Sequence, residues 1–237
     1  MMEDYRFQSF FSFNENKVID SVNKYSWQLA LSCADGDFTL HPNTSLFMKV
    51  AHTGSYNFDS LYTINQNLEW KFDSSDGDSA GNAIGRWWLS NDSTPLTIGK
   101  VLLIDRGIDD EGLPLGYLKI QPHLLQDTQQ VMIKIADLNG NNERSFTFIK
   151  EPARPFVTMS FETGSDLKQT YPDTDSWDLM FTQYTTLLYT DEGEAYPYLV
   201  TGALINQATI MTALDTSINF NEVTREYAES LDLSKRL

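Results

Sequence analysis

The residues able to do chemistry are few in kind. The chain carries three histidines and one cysteine. His41 precedes Pro42, His52 stands two residues before Gly54 and His123 follows Pro122, with no His-x-x-x-His or Cys-x-x-Cys pair to hold zinc. No Gly-x-Ser-x-Gly elbow, Walker-type phosphate loop or dinucleotide glycine motif occurs, so serine hydrolases and nucleotide-using enzymes lose their usual signatures. Paired carboxylates would suit a glycoside hydrolase, but with 33 acidic residues some pair is inevitable and nothing selects one. Asp73/Asp76/Asp78 and Asp109/Asp110/Glu111 offer oxygen ligands to calcium without the twelve-residue loop and closing glutamate that fix an ion, and they read as solvated loops. The expectation is a binding protein, not an enzyme.

Charge narrows the partners. Thirty-three acidic against 17 basic residues give a formal charge of -16, a field that opposes any polyanion, so nucleic acid and anionic lipid are set aside. A hydrophobic fraction of 41% is enough to bury a core without disulfides. Cys33, the single cysteine, excludes an intrachain disulfide and falls within an apolar strand, where a buried inert thiol is expected. No apolar run approaches the roughly 18 residues of a membrane-crossing helix. Met1-Met2-Glu3-Asp4-Tyr5 shows neither the basic flank nor the apolar stretch of an export signal.

The elements that must position any site are mostly strands. Val131, Ile133 and Ile135 alternate with Met132, Lys134 and Ala136 and stop at Asn139-Gly140, a tight-turn dipeptide, before a return strand Ser145-Phe146-Thr147-Phe148-Ile149. Residues 100–104 and 117–120 flank a Gly-, Asp- and Pro-rich loop in the same manner. Helical spacing appears only near the end, where Val223, Tyr227 and Leu231 predict a short amphipathic helix between Asn221 and Lys235. Residues 73–85 read as a surface loop. The expected fold class is all-β, in antiparallel sheets with a short C-terminal helix.

One unit occurs twice. Phe11-Ser12-Phe13 leads to Ser26-Trp27-Gln28-Leu29-Ala30-Leu31, and Met159-Ser160-Phe161 leads to Ser176-Trp177-Asp178-Leu179-Met180-Phe181. Period-two spacing puts Trp27/Leu29/Leu31 and Trp177/Leu179/Phe181 each on one strand face. Each unit then reads as a hairpin whose second strand carries a tryptophan into the core, with ligand contact as the alternative role for the indoles. Pro152-Ala153-Arg154-Pro155 interrupts any ladder, and divides a first β unit, 1–151, from a second strand-turn-strand unit with the helix, 152–237, packed on the first as one continuous structure. In the second unit Tyr184, Tyr189, Tyr196 and Tyr198 interleave with Asp191, Glu192, Glu194 and Pro197, a composition suited to protein or sugar recognition or to ordinary strand-edge packing.

These Trp motifs resemble those of the HmuY-like proteins, exported haem-binding lipoproteins of Gram-negative bacteria of the Bacteroidetes type. Phe11-Ser12-Phe13 with Trp27-Gln28-Leu29-Ala30-Leu31 is similar to the family's early segment. Residues 98–107 with Gly116-Tyr117-Leu118-Lys119-Ile120 are similar to its late strand pair, and Ser176 to Tyr184 matches its Trp-Asp motif, as in a longer branch with the motif repeated. The resemblance implies an all-β fold, a place on the outer-membrane surface or secretion, a TonB-dependent outer-membrane receptor as partner, and haem held between two axial histidines. The sequence departs from that pattern: Glu69 to Pro95 contains no histidine, and Arg86-Trp87-Trp88-Leu89-Ser90-Asn91-Asp92 offers Asn91 where the family's second ligand is expected. Carboxamide oxygen is a poor axial donor. His41, Met48 and His52 are the other candidate donors, and Trp87 and Trp88 the candidate flat contacts for porphyrin or sugar.

Three functions follow as expectations: a haem or porphyrin carrier with altered axial ligands, a carbohydrate-binding or carbohydrate-active β-sandwich, and a structural or assembly subunit without a small ligand.

Overall fold

The computed structural model describes residues 5–74, 81–89, 95–125, 130–162 and 169–234. The alternating run becomes β11 (Gln130–Ala136), antiparallel to β12 (Arg144–Ile149), with Val131, Ile133 and Ile135 wholly buried on one face. Residues 137–143 join them, a longer connection than a two-residue turn, closed by the Asp137 N–H donating to the Asn141 carbonyl and turned by Gly140 and Asn142 at positive φ. The second expected pair is β9 (Leu102–Asp105) with β10 (Tyr117–Leu124). With β5 (Lys49–His52) and β6 (Trp70–Lys71) these form a six-stranded antiparallel sheet, ordered β12-β11-β10-β9-β5-β6.

Two further sheets follow in successive layers. One joins β13 (Phe156–Met159), β3 (Leu29–Ser32) and β4 (Leu40–Pro42); the other joins β15 (Ala195–Ile205), β14 (Leu179–Tyr189), β1 (Phe7–Ser12) and β2 (Lys17–Asn23), each in that order. A short pair, β7 (Trp88–Leu89) with β8 (Leu96–Thr97), stands apart. The fold is all-β and antiparallel, with one short helix, α1 (Arg225–Ser230). One face of the three-stranded sheet, with Leu29, Leu31, Leu40, Val157 and Met159, packs on the apolar face of the six-stranded sheet in the main core. Its other face meets the four-stranded sheet through Phe10, Trp27, Ala30, Tyr171, Trp177 and Met180.

The two smaller sheets repeat one backbone arrangement. Before each sheet's central strand a 3-10 turn, Lys24–Ser26 or Thr174–Ser176, ends in a buried tryptophan with extended backbone. The residue after each tryptophan donates its N–H at 2.8 Å to a strand of the other unit, Gln28 to Met159 and Asp178 to Phe11. Its side chain then accepts the N–H of the phenylalanine in that unit's Ser-Phe pair, Gln28 from Phe161 and Asp178 from Phe13. An asparagine after the third strand clamps the turn: Asn43 Nδ2 donates to the carbonyls of Lys24 and Trp27, and Asn206 Nδ2 to those of Thr174 and Trp177. Rows match as well, Val157-Leu31-Leu40 in one sheet corresponding to Ser9-Phe181-Ala203 in the other.

This arrangement corrects two expectations. The Ser-Phe strand does not form a hairpin with the Trp strand of its own unit: β1 pairs with β14 and β13 with β3, a reciprocal exchange across Pro152–Pro155. Nor does each Trp share a face with its alternating neighbours. The 3-10 turn rotates the chain ahead of the strand, so Trp27 packs with Ala30 on one side of the sheet while Leu29 and Leu31 line the other. The expected short C-terminal helix is present as α1, preceded by a 3-10 turn at Phe220–Glu222, and neither has a buried residue; Lys235 is outside the described residues. In the loop 73–85, Asp73, Ala83 and Ile84 are buried anchors, and residues 75–80 lie outside the described part.

Each clamping asparagine is itself buried and satisfies two carbonyls of its turn, so Asn43→Ala and Asn206→Ala should each lower unfolding free energy by about 2–4 kcal/mol, from lost bonds and unmet carbonyls. Urea denaturation measures this; a change below about 0.5 kcal/mol at both positions would show that the turns hold without the clamps.

Candidate functional site

The structure engages His41, His52 and Met48 internally, the two histidines both at the segment that holds Asp73 and Ala83. His41 Nδ1 lies 3.0 Å from Asp73 Oδ2, a carboxylate almost wholly shielded that also accepts the Ala83 N–H, and its ring stands edge-on to Phe156 at 5.5 Å. His52 Nε2 lies 3.0 Å from the Ala83 carbonyl. Met48 is buried in the main core. Trp87 and Trp88 are core residues too: Trp87 Nε1 donates to the Phe38 carbonyl at 2.8 Å, and Trp88 packs against Phe38 and Trp87. Asn91 lies outside the described residues. Among the described residues no cluster of three His, Cys, Asp or Glu side chains could hold a metal ion. Asp109 closes its own loop by accepting the N–H groups of Glu111 and Leu113; Asp76 and Asp78 are not described.

A surface that sequence reasoning missed is the outer face of the four-stranded sheet. Strand β1 is apolar at both parities. Phe10 points into the inner cluster, while Phe7 and Phe11 stand on the opposite side with Ser9, and Phe13 just beyond the strand end is also exposed. Phe11 meets Phe13 and Phe181 edge-on, at 5.8 and 6.4 Å. A shallow groove of about 390 Å³ opens here, lined by Tyr5, Phe7, Ser9, Ser21, Phe181, Thr182, Gln183 and Thr201, none of them acidic or basic. The signal was available: a strand with aromatic residues on both faces expects cover on both faces.

Polar groups in this groove are bonded to one another. Ser9 Oγ and Ser21 Oγ lie 2.9 Å apart, and Gln183 Nε2 donates to Thr201 Oγ1 at 3.3 Å. Behind the groove the buried Lys24 donates its ammonium to Gln183 Oε1, and burial pushes its pKa down. A surface whose hydroxyls and amides already have partners can be dried at low cost, whereas a sugar site needs such groups free to meet the ligand. The exposed tyrosines Tyr189, Tyr196 and Tyr198 lie on the β14–β15 hairpin beyond the groove.

No family model matches the chain, and no curated protein or solved structure does either.

Two outcomes follow from this geometry. His41→Ala leaves the shielded Asp73 carboxylate short of a partner and should lower stability by about 1–3 kcal/mol in urea denaturation; an unchanged midpoint would show that the Ala83 N–H suffices. Burial pushes the Cys33 thiol up from its ordinary pKa, disfavouring the thiolate that reacts. Iodoacetamide should therefore label the native chain at least about tenfold more slowly than the unfolded one, and equal rates would contradict that burial.

Proposed function

We propose that the chain is a non-enzymatic binding protein working by protein-protein contact, an assembly subunit whose working surface is the outer face of the four-stranded sheet. One observation carries this reading. In the three-stranded sheet the equivalent face, Val157, Leu31 and Leu40 with Met159 and Leu29, is 5% exposed or less because a whole β-sheet covers it. In the four-stranded sheet the same rows hold Ser9, Phe181 and Ala203 with Phe11 and Leu179, and Phe181 is 45% exposed. An uncharged, aromatic sheet face with paired polar groups is suited to burial under another apolar layer.

The haem and glycan readings find less support. The imidazoles of His41 and His52 already have partners and the Met48 thioether is packed, so ligating iron would require those contacts to break. The indoles of Trp87 and Trp88 are too enclosed to serve as a sugar platform. A place on the outer-membrane surface and a TonB-dependent receptor belong to the proposal only through the resemblance to HmuY-like proteins.

Hydroxyl-radical footprinting tests the reading without naming the partner. In intact cells Phe7, Phe11 and Phe181 should be labelled several-fold less than in the dilute purified chain, while Leu214, 93% exposed and far along the chain, should not change. Equal labelling of the three phenylalanines in both settings would overturn the proposal.

A further inference from the structure

We infer that the layer covering this face is a second copy of the chain, packed through the same face about a twofold axis. The inference rests on the reading above that the face is covered, and names the partner. Charge points to it first. A chain of -16 repels its own copies everywhere except where the contact is neutral, and a basic partner would be met by acids. The face meets the first condition and fails the second: the rows Ser21-Ser9-Phe181-Ala203 and Val18-Phe11-Leu179-Ile205 contain no acidic or basic residue. The edge strand β15 likewise has none over its 11 residues, and the hairpin acids Asp191, Glu192 and Glu194 sit at the tip, away from these rows.

Symmetry and area agree. A twofold contact uses one patch twice, so the patch must complement itself. Aromatic side chains standing at alternate positions with Ser and Ala between them can interleave across the roughly 10 Å gap of two packed sheets. Four strands at about 4.8 Å spacing, with a rise of about 3.4 Å per residue, span roughly 500 Å² in projection, so two such faces bury on the order of 1,000 Å² or more, the lower bound for a specific interface. The chain already packs the inner, equivalent faces of its two smaller sheets together around Tyr171, which meets Phe10 of one sheet at 5.4 Å and Phe156 of the other at 5.1 Å.

Sedimentation of the whole chain between about 1 and 100 µM tests the inference. A species of twice 27.0 kDa should appear and should weaken at least about tenfold in Phe181→Lys, which sets like charges near the axis. Ser9→Arg is the second variant, with circular dichroism confirming that both are folded, and Leu214→Lys should sediment as the parent does. A chain monomeric at about 100 µM, or a dimer indifferent to both folded variants, overturns the second copy. If footprinting in cells still protects Phe181 in that case, only the identity of the partner fails; if it does not, the assembly reading falls as well.

Discussion

The stacking of this molecule depends on the exchange of one strand between its two tryptophan modules. Strand β1 completes the sheet of β14 and β15, and β13 completes that of β3 and β4, so neither module has a full sheet alone. The exchange brings the two Trp turns to one place, where Tyr171 contacts Trp27, Trp177, Phe10 and Phe156 at ring separations between 5.1 and 6.3 Å. Each of these side chains contributes about 1.5–3 kcal/mol through burial, and edge-on pairs add to it. The middle sheet is left with two apolar faces, one toward this cluster and one toward the main core.

The modules differ where their partners differ. Trp27 Nε1 donates to Gln8 Oε1 at 2.9 Å, but Phe156 occupies the corresponding position in the second module, beside Ser32 as Gln8 is beside Thr182. Trp177 Nε1 accordingly has no acceptor among the described residues, at a cost of about 1–3 kcal/mol. The Phe156 ring instead makes a tilted contact with Tyr171 and an edge-on one with His41. The backbone arrangement is kept in both modules while side chains follow what lies above each sheet.

Alternation and turn residues made the sheets legible, and the repeated Trp motif marked where the modules lie. Which strand pairs with which could not be read, because a period of two records only the face of each residue and the Ser-Phe strands are equally suited to either Trp strand. The misplacement of Trp27 and Trp177 relative to Leu29 and Leu179 has the same kind of cause: a 3-10 turn changes parity, and nothing in Lys24-Tyr25-Ser26 or Thr174-Asp175-Ser176 announces it. Asn43 and Asn206 gave no warning either, since a clamp across many residues has no local spacing. His41, Met48 and His52 looked like a ligand set because composition shows donors but not the carboxylate, carbonyl and core that occupy them.

An antiparallel sheet that ends a protein normally shows water a polar face. Here the outermost sheet shows Phe7, Phe11 and Phe181, and the reason can be read from its counterpart one layer in. There the same rows carry Leu29, Leu31, Leu40, Val157 and Met159, all in the main core. Where Val157, Leu31, Leu40 and Met159 stand in that sheet, the outer one has Ser9, Phe181, Ala203 and Phe11, a face that is part polar and part aromatic. Water alone would satisfy the Ser9 and Ser21 hydroxyls, so their bond to each other matters most if the face is dried, which is the condition of the contact proposed above.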